Sequence, residues 1–116
     1  MSHIVRLEPF EKHPSESARV CADLRKFLTA TETLSLASVV SVAPAGELTA
    51  TDVDVNAGEF KDKSGAITVP IGKGITVFLE DGVSGTTYEV VLRAENSNGE
   101  ELPAVTLPVM VTGTGP

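Results

Sequence analysis

Gly85-Thr86-Thr87-Tyr88-Glu89-Val90-Val91-Leu92-Arg93-Ala94-Glu95-Asn96-Ser97-Asn98-Gly99 reads as one long half-buried strand followed at once by a tight turn. Tyr88, Val90, Leu92 and Ala94 share one face, and Glu89, Arg93 and Glu95 the other, with Val91 alone breaking the alternation. A period of two is what a strand requires when one face is buried and one is wet. Asn98-Gly99 then predicts a hairpin turn, because this pair tolerates positive φ at both central positions. The stretch points to an antiparallel sandwich, a class that mostly binds or builds.

The neighbouring segments repeat the pattern. Residues 103–112 place Val105, Leu107, Val109 and Val111 inward, and residues 75–80 do the same with Ile75, Val77 and Leu79. Pro70 in residues 66–71, where Ile67, Val69 and Ile71 point inward, and Pro108 in the last strand both predict edge positions, since proline cannot donate to a central ladder. Residues 48–55 align Val53 and Val55 with Asp52 and Asp54 facing away, and residues 33–43 put Leu34, Leu36, Val40 and Val42 on one face. Turns are expected at 43–46, where Pro44 and Gly46 take the second and fourth positions, at 56–58, at 61–65 and at 72–74. Residues 18–28 fit either a helix, through Val20, Leu24 and Phe27 or Leu28, or a strand, through Ala18, Val20, Ala22 and Leu24. Extended structure is preferred, because everything downstream is β. The sum is an all-β, immunoglobulin-like antiparallel sandwich of about seven strands. An N-terminal arm or first strand at 1–17 precedes the sandwich at 18–112, and a tail follows at 113–116.

Composition agrees. A chain of 116 residues makes one domain, and with no Trp, one Tyr and four Phe its core must be aliphatic. A net charge of −7 argues against nucleic acid and anionic membrane as partners. Cys21 is the single cysteine, so packing and not an intrachain disulfide must hold the fold; its expected role is a small apolar side chain. No apolar run reaches the ~18 residues of a membrane span. The first residues lack the basic start and apolar stretch of a secretory signal, so synthesis in the cytoplasm is expected.

Two resemblances emerge from these residues. Gly85, Thr86, Tyr88, Val90, Leu92, Ala94, Asn96 and Gly99 resemble the penultimate strand of fibronectin type III and related immunoglobulin-like domains. That resemblance implies a structural tyrosine, with the Tyr88 hydroxyl bonded back to backbone in the 81–85 loop. The Trp of that family's early core strand is replaced here by Ser38 or Val40. A second pattern covers residues 10–111. Phe10-Glu11-Lys12-His13-Pro14, then Asp23-Leu24, Leu28, Glu32-Thr33-Leu34 and Ser38-Val39, then 81–90 and Ser97-Asn98-Gly99, are similar to small tailed-phage virion proteins of the fibre-to-tail adaptor and head–tail neck kind. This resemblance implies a structural subunit of a phage or prophage virion, made in the bacterial host, that docks on other virion proteins or on itself.

Chemical sites are sparse. Asp52 and Asp54, with Glu59 and Asp62 nearby, are few for calcium, which gathers about six to eight oxygens, and a solvated strand face explains them. His3 and His13 stand without a cysteine pair, so no metal is expected. No Gly-x-Ser-x-Gly elbow exists, and Lys73 between Gly72 and Gly74 lacks the phosphate-loop spacing. Glu80-Asp81 and Glu100-Glu101 fall at turns. No catalytic residue and no cofactor is therefore expected. Contacts are expected from Phe10, Pro14, Pro44, Asp81 and Ser97, that is, from the arm or from the 43–48, 81–87 and 97–101 loops at one end. The alternative is a fibronectin-like or carbohydrate-binding module of a secreted protein. It would need exposed aromatic platforms, for which Phe10, Phe60, Phe78 and Tyr88 are few.

Overall fold

Branched, alternating sequence becomes strand over most of its length. The computed structural model describes residues 5–7, 9–61 and 68–113. Among these the strands are β1 (Val5–Arg6), β2 (Phe10–Lys12), β3 (Ala18–Asp23), β4 (Leu34–Ala43), β5 (Leu48–Val55), β6 (Phe60–Lys61), β7 (Thr68–Val69), β8 (Gly74–Asp81), β9 (Thr87–Asn96) and β10 (Val105–Val111). One 3-10 turn, Arg25–Phe27, follows β3, so the 18–28 segment is strand first and a single tight turn after.

Two sheets face each other. One runs β4-β9-β10 and continues into the arm, where β1 and β2 both pair parallel to β10; the other runs β3-β8-β5. The remaining β6 and β7 form a two-stranded ribbon. Tyr88, Val90 and Leu92 of β9 meet Ile75, Val77 and Leu79 of β8 in the interior, all with no exposed surface. Val105, Val109 and Val111 of β10 join them at 1% exposure or less. Full burial of one such aliphatic side chain stabilises by about 1.5–3 kcal/mol, so an all-β sandwich closes without aromatic bulk.

Four expectations change. In β4 the alternation slips twice, with register shifts against β9 between Leu34 and Leu36 and between Val39 and Ser41. Each added residue turns the following side chains over. The inward set is therefore Leu34, Ala37, Val39 and Val42, while Leu36 and Val40 are 55% and 52% exposed. Pro108 lies in an interior strand, buried and opposite Glu89. Its missing N–H faces the arm where the arm has no ladder: β1 pairs with Val105 and Thr106, β2 resumes at Val109, and the arm uses one residue more between them. Ile71 is exposed and Pro70 sits beyond β7 in a turn closed by Lys73 N–H donating to its carbonyl at 3.2 Å. Last, the β9–β10 turn centres on Ser97-Asn98, with Gly99 N–H donating to Asn96 O at 3.0 Å and only Gly99 at positive φ (80°). That is a turn followed by a glycine bulge. Ile67 and the 62–65 part of the charged turn lie outside the described residues.

Cys21, half-buried on β3, has its thiol pushed from an ordinary 9.0 up to about 12, mainly by burial and further by Asp23. The unfolded thiol loses its proton near 9 and the folded one does not. The folded state then holds the extra proton, so this group's contribution to stability falls as pH rises from 9 toward 12. Two results are expected. Iodoacetamide at pH 8 leaves native Cys21 unmodified, and Cys21→Ala flattens the fall in denaturation midpoint between pH 9 and 11.

Candidate functional site

The strand order sorts the loops between two ends, and the three predicted contact loops do not share one. The 43–48 and 81–87 loops meet at the end where the arm finishes, at Lys12. The 97–101 turn lies at the other end, one length of β9 away, beside Glu32 and Thr33.

The arm end is fastened by two buried polar side chains. Tyr88 enters from β9 with no exposed surface, and its hydroxyl accepts from Val83 N–H at 2.8 Å and donates to Glu47 Oε1 at 2.8 Å. Burial raises its pKa, the Val83 bond offsets part of this, and Glu47 adds to it, so the phenol stays a donor. The 81–85 loop needs this geometry: Asp81 and Gly82 adopt φ of 66° and 101°, and a Cβ on Gly82 would meet Val111 Cγ2 at 2.8 Å. Gly82 N–H donates to Glu47 O at 3.1 Å, which closes the second link between the loops.

Lys12 is the other fastener, and the sequence gives little sign of it. It occupies the inward position two residues after Phe10, is 1% exposed, and its ammonium donates to Asp81 O at 2.6 Å and His13 O at 2.9 Å, with Pro14 O at 3.5 Å. Burial lowers its pKa, while the carboxylates of Glu16, Asp81 and Glu80 pull it back up. The chain then turns at His13-Pro14-Ser15-Glu16, where Glu16 N–H donates to His13 O at 3.0 Å and His13 N–H to Glu16 Oε1 at 3.1 Å. The C-terminal strand joins the same end: Gly85 N–H donates to Val111 O at 2.8 Å, Thr112 N–H to Lys12 O at 2.8 Å, and Ser84 Oγ to Gly113 O. Glu11, Lys12, His13, Glu16, Thr112 and Gly113 line a shallow open depression there. Four segments distant in sequence thus form one hydrogen-bonded rim. Its tip, Ala43 to Gly46 with Val83, Ser84 and Gly85, is exposed and carries no charge. Of the expected contact residues, Pro44 and Asp81 are exposed here, Pro14 is half-exposed, and Phe10 packs against the core.

At the far end Asn96 Oδ1 accepts from Asn98 and Glu100 N–H at 3.0 and 2.9 Å, and exposed Ser97 accepts from Thr33 N–H. Buried Asn56 and the Lys73 ammonium, which caps the carbonyls of Thr29, Ala30 and Glu32, hold the remaining loops. Among the described residues no three His, Cys, Asp or Glu side chains are grouped to hold a metal ion. Asp52 pairs with Arg19, and Asp54 accepts from Val55 N–H. His3 and Asp62 lie outside the described residues. Among the described residues no helix is long and apolar enough to cross a membrane.

No curated protein and no solved structure matches this chain. The family model described as podophage GP4 fiber-tail adaptor protein gp77 matches residues 12–107, from the buried Lys12 to the middle of β10. With most of the sandwich inside that match, the chain belongs to the podophage GP4 fiber-tail adaptor family and is a structural component of a tailed-phage virion.

Proposed function

We propose that the protein is a passive, non-enzymatic joint that holds tail and fibre components together by protein–protein association, and that it also associates with itself. Its sheets group β3, β8 and β5 against β4, β9 and β10, the grouping of a constant-type immunoglobulin sandwich, and we read the domain as immunoglobulin-like. The observation that carries the proposal is the arm-end rim. Lys12 and Tyr88 pin its loops before any partner arrives, so docking there costs little ordering entropy. An uncharged tip on a chain of net charge −7 suits burial against another protein and not nucleic acid. The aromatic side chains among the described residues are half-buried or buried, with Arg19 lying over Phe78 and Lys26 over Phe27, which gives a sugar-binding module no platform.

The test is binding of the full chain to the tail and fibre proteins of its phage. Val83→Glu at the arm end is expected to weaken one of these interactions at least tenfold, while Ser97→Glu at the far end leaves both unchanged. Undiminished binding by Val83→Glu would reassign the docking surface.

A further inference from the structure

The sandwich has four open strand edges among the described residues, and three of them are guarded. The arm carries Pro9 and Glu11, β3 carries Arg19 and Asp23, and β5 carries Asp52 and Asp54. Charge and proline are usual devices that keep an edge from pairing with another chain. β4 is different. It pairs with β9 on one side and with nothing on the other among the described residues, and from Thr33 to Gly46 the chain has no charged residue. Its two bulges bracket residues 36–39, and Val40, the extra residue of the second, stays on the exposed face.

The order of residues in β4 identifies the partner. About Ser38 the strand Leu34-Ser35-Leu36-Ala37-Ser38-Val39-Val40-Ser41-Val42 is a palindrome in polarity: Leu34 answers Val42, Ser35 answers Ser41, Leu36 answers Val40 and Ala37 answers Val39. Antiparallel pairing of two identical strands sets each residue opposite its mirror position, and paired residues must point to the same face. A two-fold axis through Ser38 satisfies both conditions. It places exposed Leu36 against exposed Val40 of the other copy on the outer face, and half-buried Ala37 against Val39 on the inner one. Moving the axis by one residue would oppose Leu36 to Ser38 and lose the match. Such self-complementarity is what an isologous contact requires and what a foreign strand would not. Charge agrees: two copies each at −7 repel least along an edge with no charge.

We infer that β4 is a homodimerisation edge, where two copies pair antiparallel about Ser38 and extend the β4-β9-β10 sheet across the molecule. This rests on the self-association in the proposed function and is independent of docking at the arm end.

Sedimentation of the full chain from 5 to 500 µM is expected to show a monomer–dimer equilibrium. Ser38→Glu sets two carboxylates face to face across the axis, yet within its own chain the new side chain lies opposite Arg93, so folding is retained. Its dimer dissociation constant should rise at least tenfold, with an unchanged melting temperature at concentrations where the wild type is monomeric, and an equimolar mixture with Ser38→Lys should restore dimers. In a Cys21→Ala background, Ser38→Cys should oxidise to a covalent dimer, because directly opposed Cα atoms lie about 4.5–5.5 Å apart, within disulfide reach. A monomeric wild type at 500 µM overturns the dimer and the self-association together, even if Ser38→Glu then loses a fibre or tail partner, which would assign the edge to a foreign strand. A wild-type oligomer indifferent to Ser38→Glu overturns the β4 edge alone.

Discussion

Asn56→Ala is expected to lower the unfolding free energy by about 3 kcal/mol and the melting temperature by roughly 10 °C. Asn56 follows β5 directly, is 3% exposed, and uses both ends of its amide. Its Nδ2 donates to the carbonyls of Gly58 at 3.0 Å, Val69 at 3.3 Å and Pro70 at 2.8 Å, and its Oδ1 accepts from Gly74 N–H at 3.0 Å. Its backbone adds two bonds, donating to Gly74 O and accepting from Gly72 N–H. Truncation strands the Gly74 N–H and at least one carbonyl in a place water does not reach, and each stranded group costs about 1–3 kcal/mol. Asn56→Asp separates the two ends of the amide. The carboxylate keeps the acceptor for Gly74 but turns an oxygen toward three carbonyls, so its own pKa should rise. The unfolded aspartate ionises near 4 and the folded one later, so the cost relative to wild type should grow as pH climbs above about 4. Chemical denaturation of both variants at pH 4 and pH 7 measures this. An Asn56→Ala protein melting within about 2 °C of wild type would show the amide to be dispensable.

How far such features can be read from sequence depends on whether period two survives. In β8 and β9 it does, and every alternate residue from Ile75 to Leu79 and from Tyr88 to Ala94 points inward as its polarity demands. In β4 the polarity carries no register, because Ser and Ala fit either face, and two bulges then decide which valines go in. Pro108 reads as an edge residue only if the partner strand is continuous; the kinked arm beside it is a tertiary fact that no local pattern encodes. Asn56 has the same trouble in another form. An Asn before Ala-Gly predicts a strand end, which it is, but turn chemistry cannot show that two further segments will converge on its side chain. The arm end is the least legible. Loops can be recognised one by one, yet assigning them to an end requires strand order, and the 97–101 turn therefore belongs with residues 24–33 and not with 43–48. Lys12 left one faint sign, its place two residues after Phe10 and immediately ahead of a proline turn, where a strand's inward face would continue.

That lysine supports the second large effect. Lys12→Met retains the stem and removes the ammonium, so Asp81 O and His13 O lose a charged donor inside the arm end. Hydrogen bonds to a charged group are worth about 1.5–3 kcal/mol, and stranding their partners is expected to cost about 2 kcal/mol overall. Lys61→Met, on an exposed strand position, is expected to stay within about 0.5 kcal/mol. The loss should also be local. Thr112 N–H, held by Lys12 O, should exchange with solvent faster, while the β8 amides at Ile75 and Val77 keep their relative protection. The pH response has a definite sign. Burial sets the folded lysine below its usual 10.5, so between its folded value and 10.5 the unfolded chain holds the extra proton and this group's contribution rises with pH. The methionine variant lacks that gain, and the gap between wild type and variant should widen as pH approaches 10.5, opposite in direction to the Cys21 effect. Because the same ammonium steadies the loop carrying Val83, a partner that docks on the arm end should bind Lys12→Met more weakly even where the variant is fully folded. A variant with unaltered exchange at Thr112 and unaltered partner affinity would show that the arm holds without its lysine.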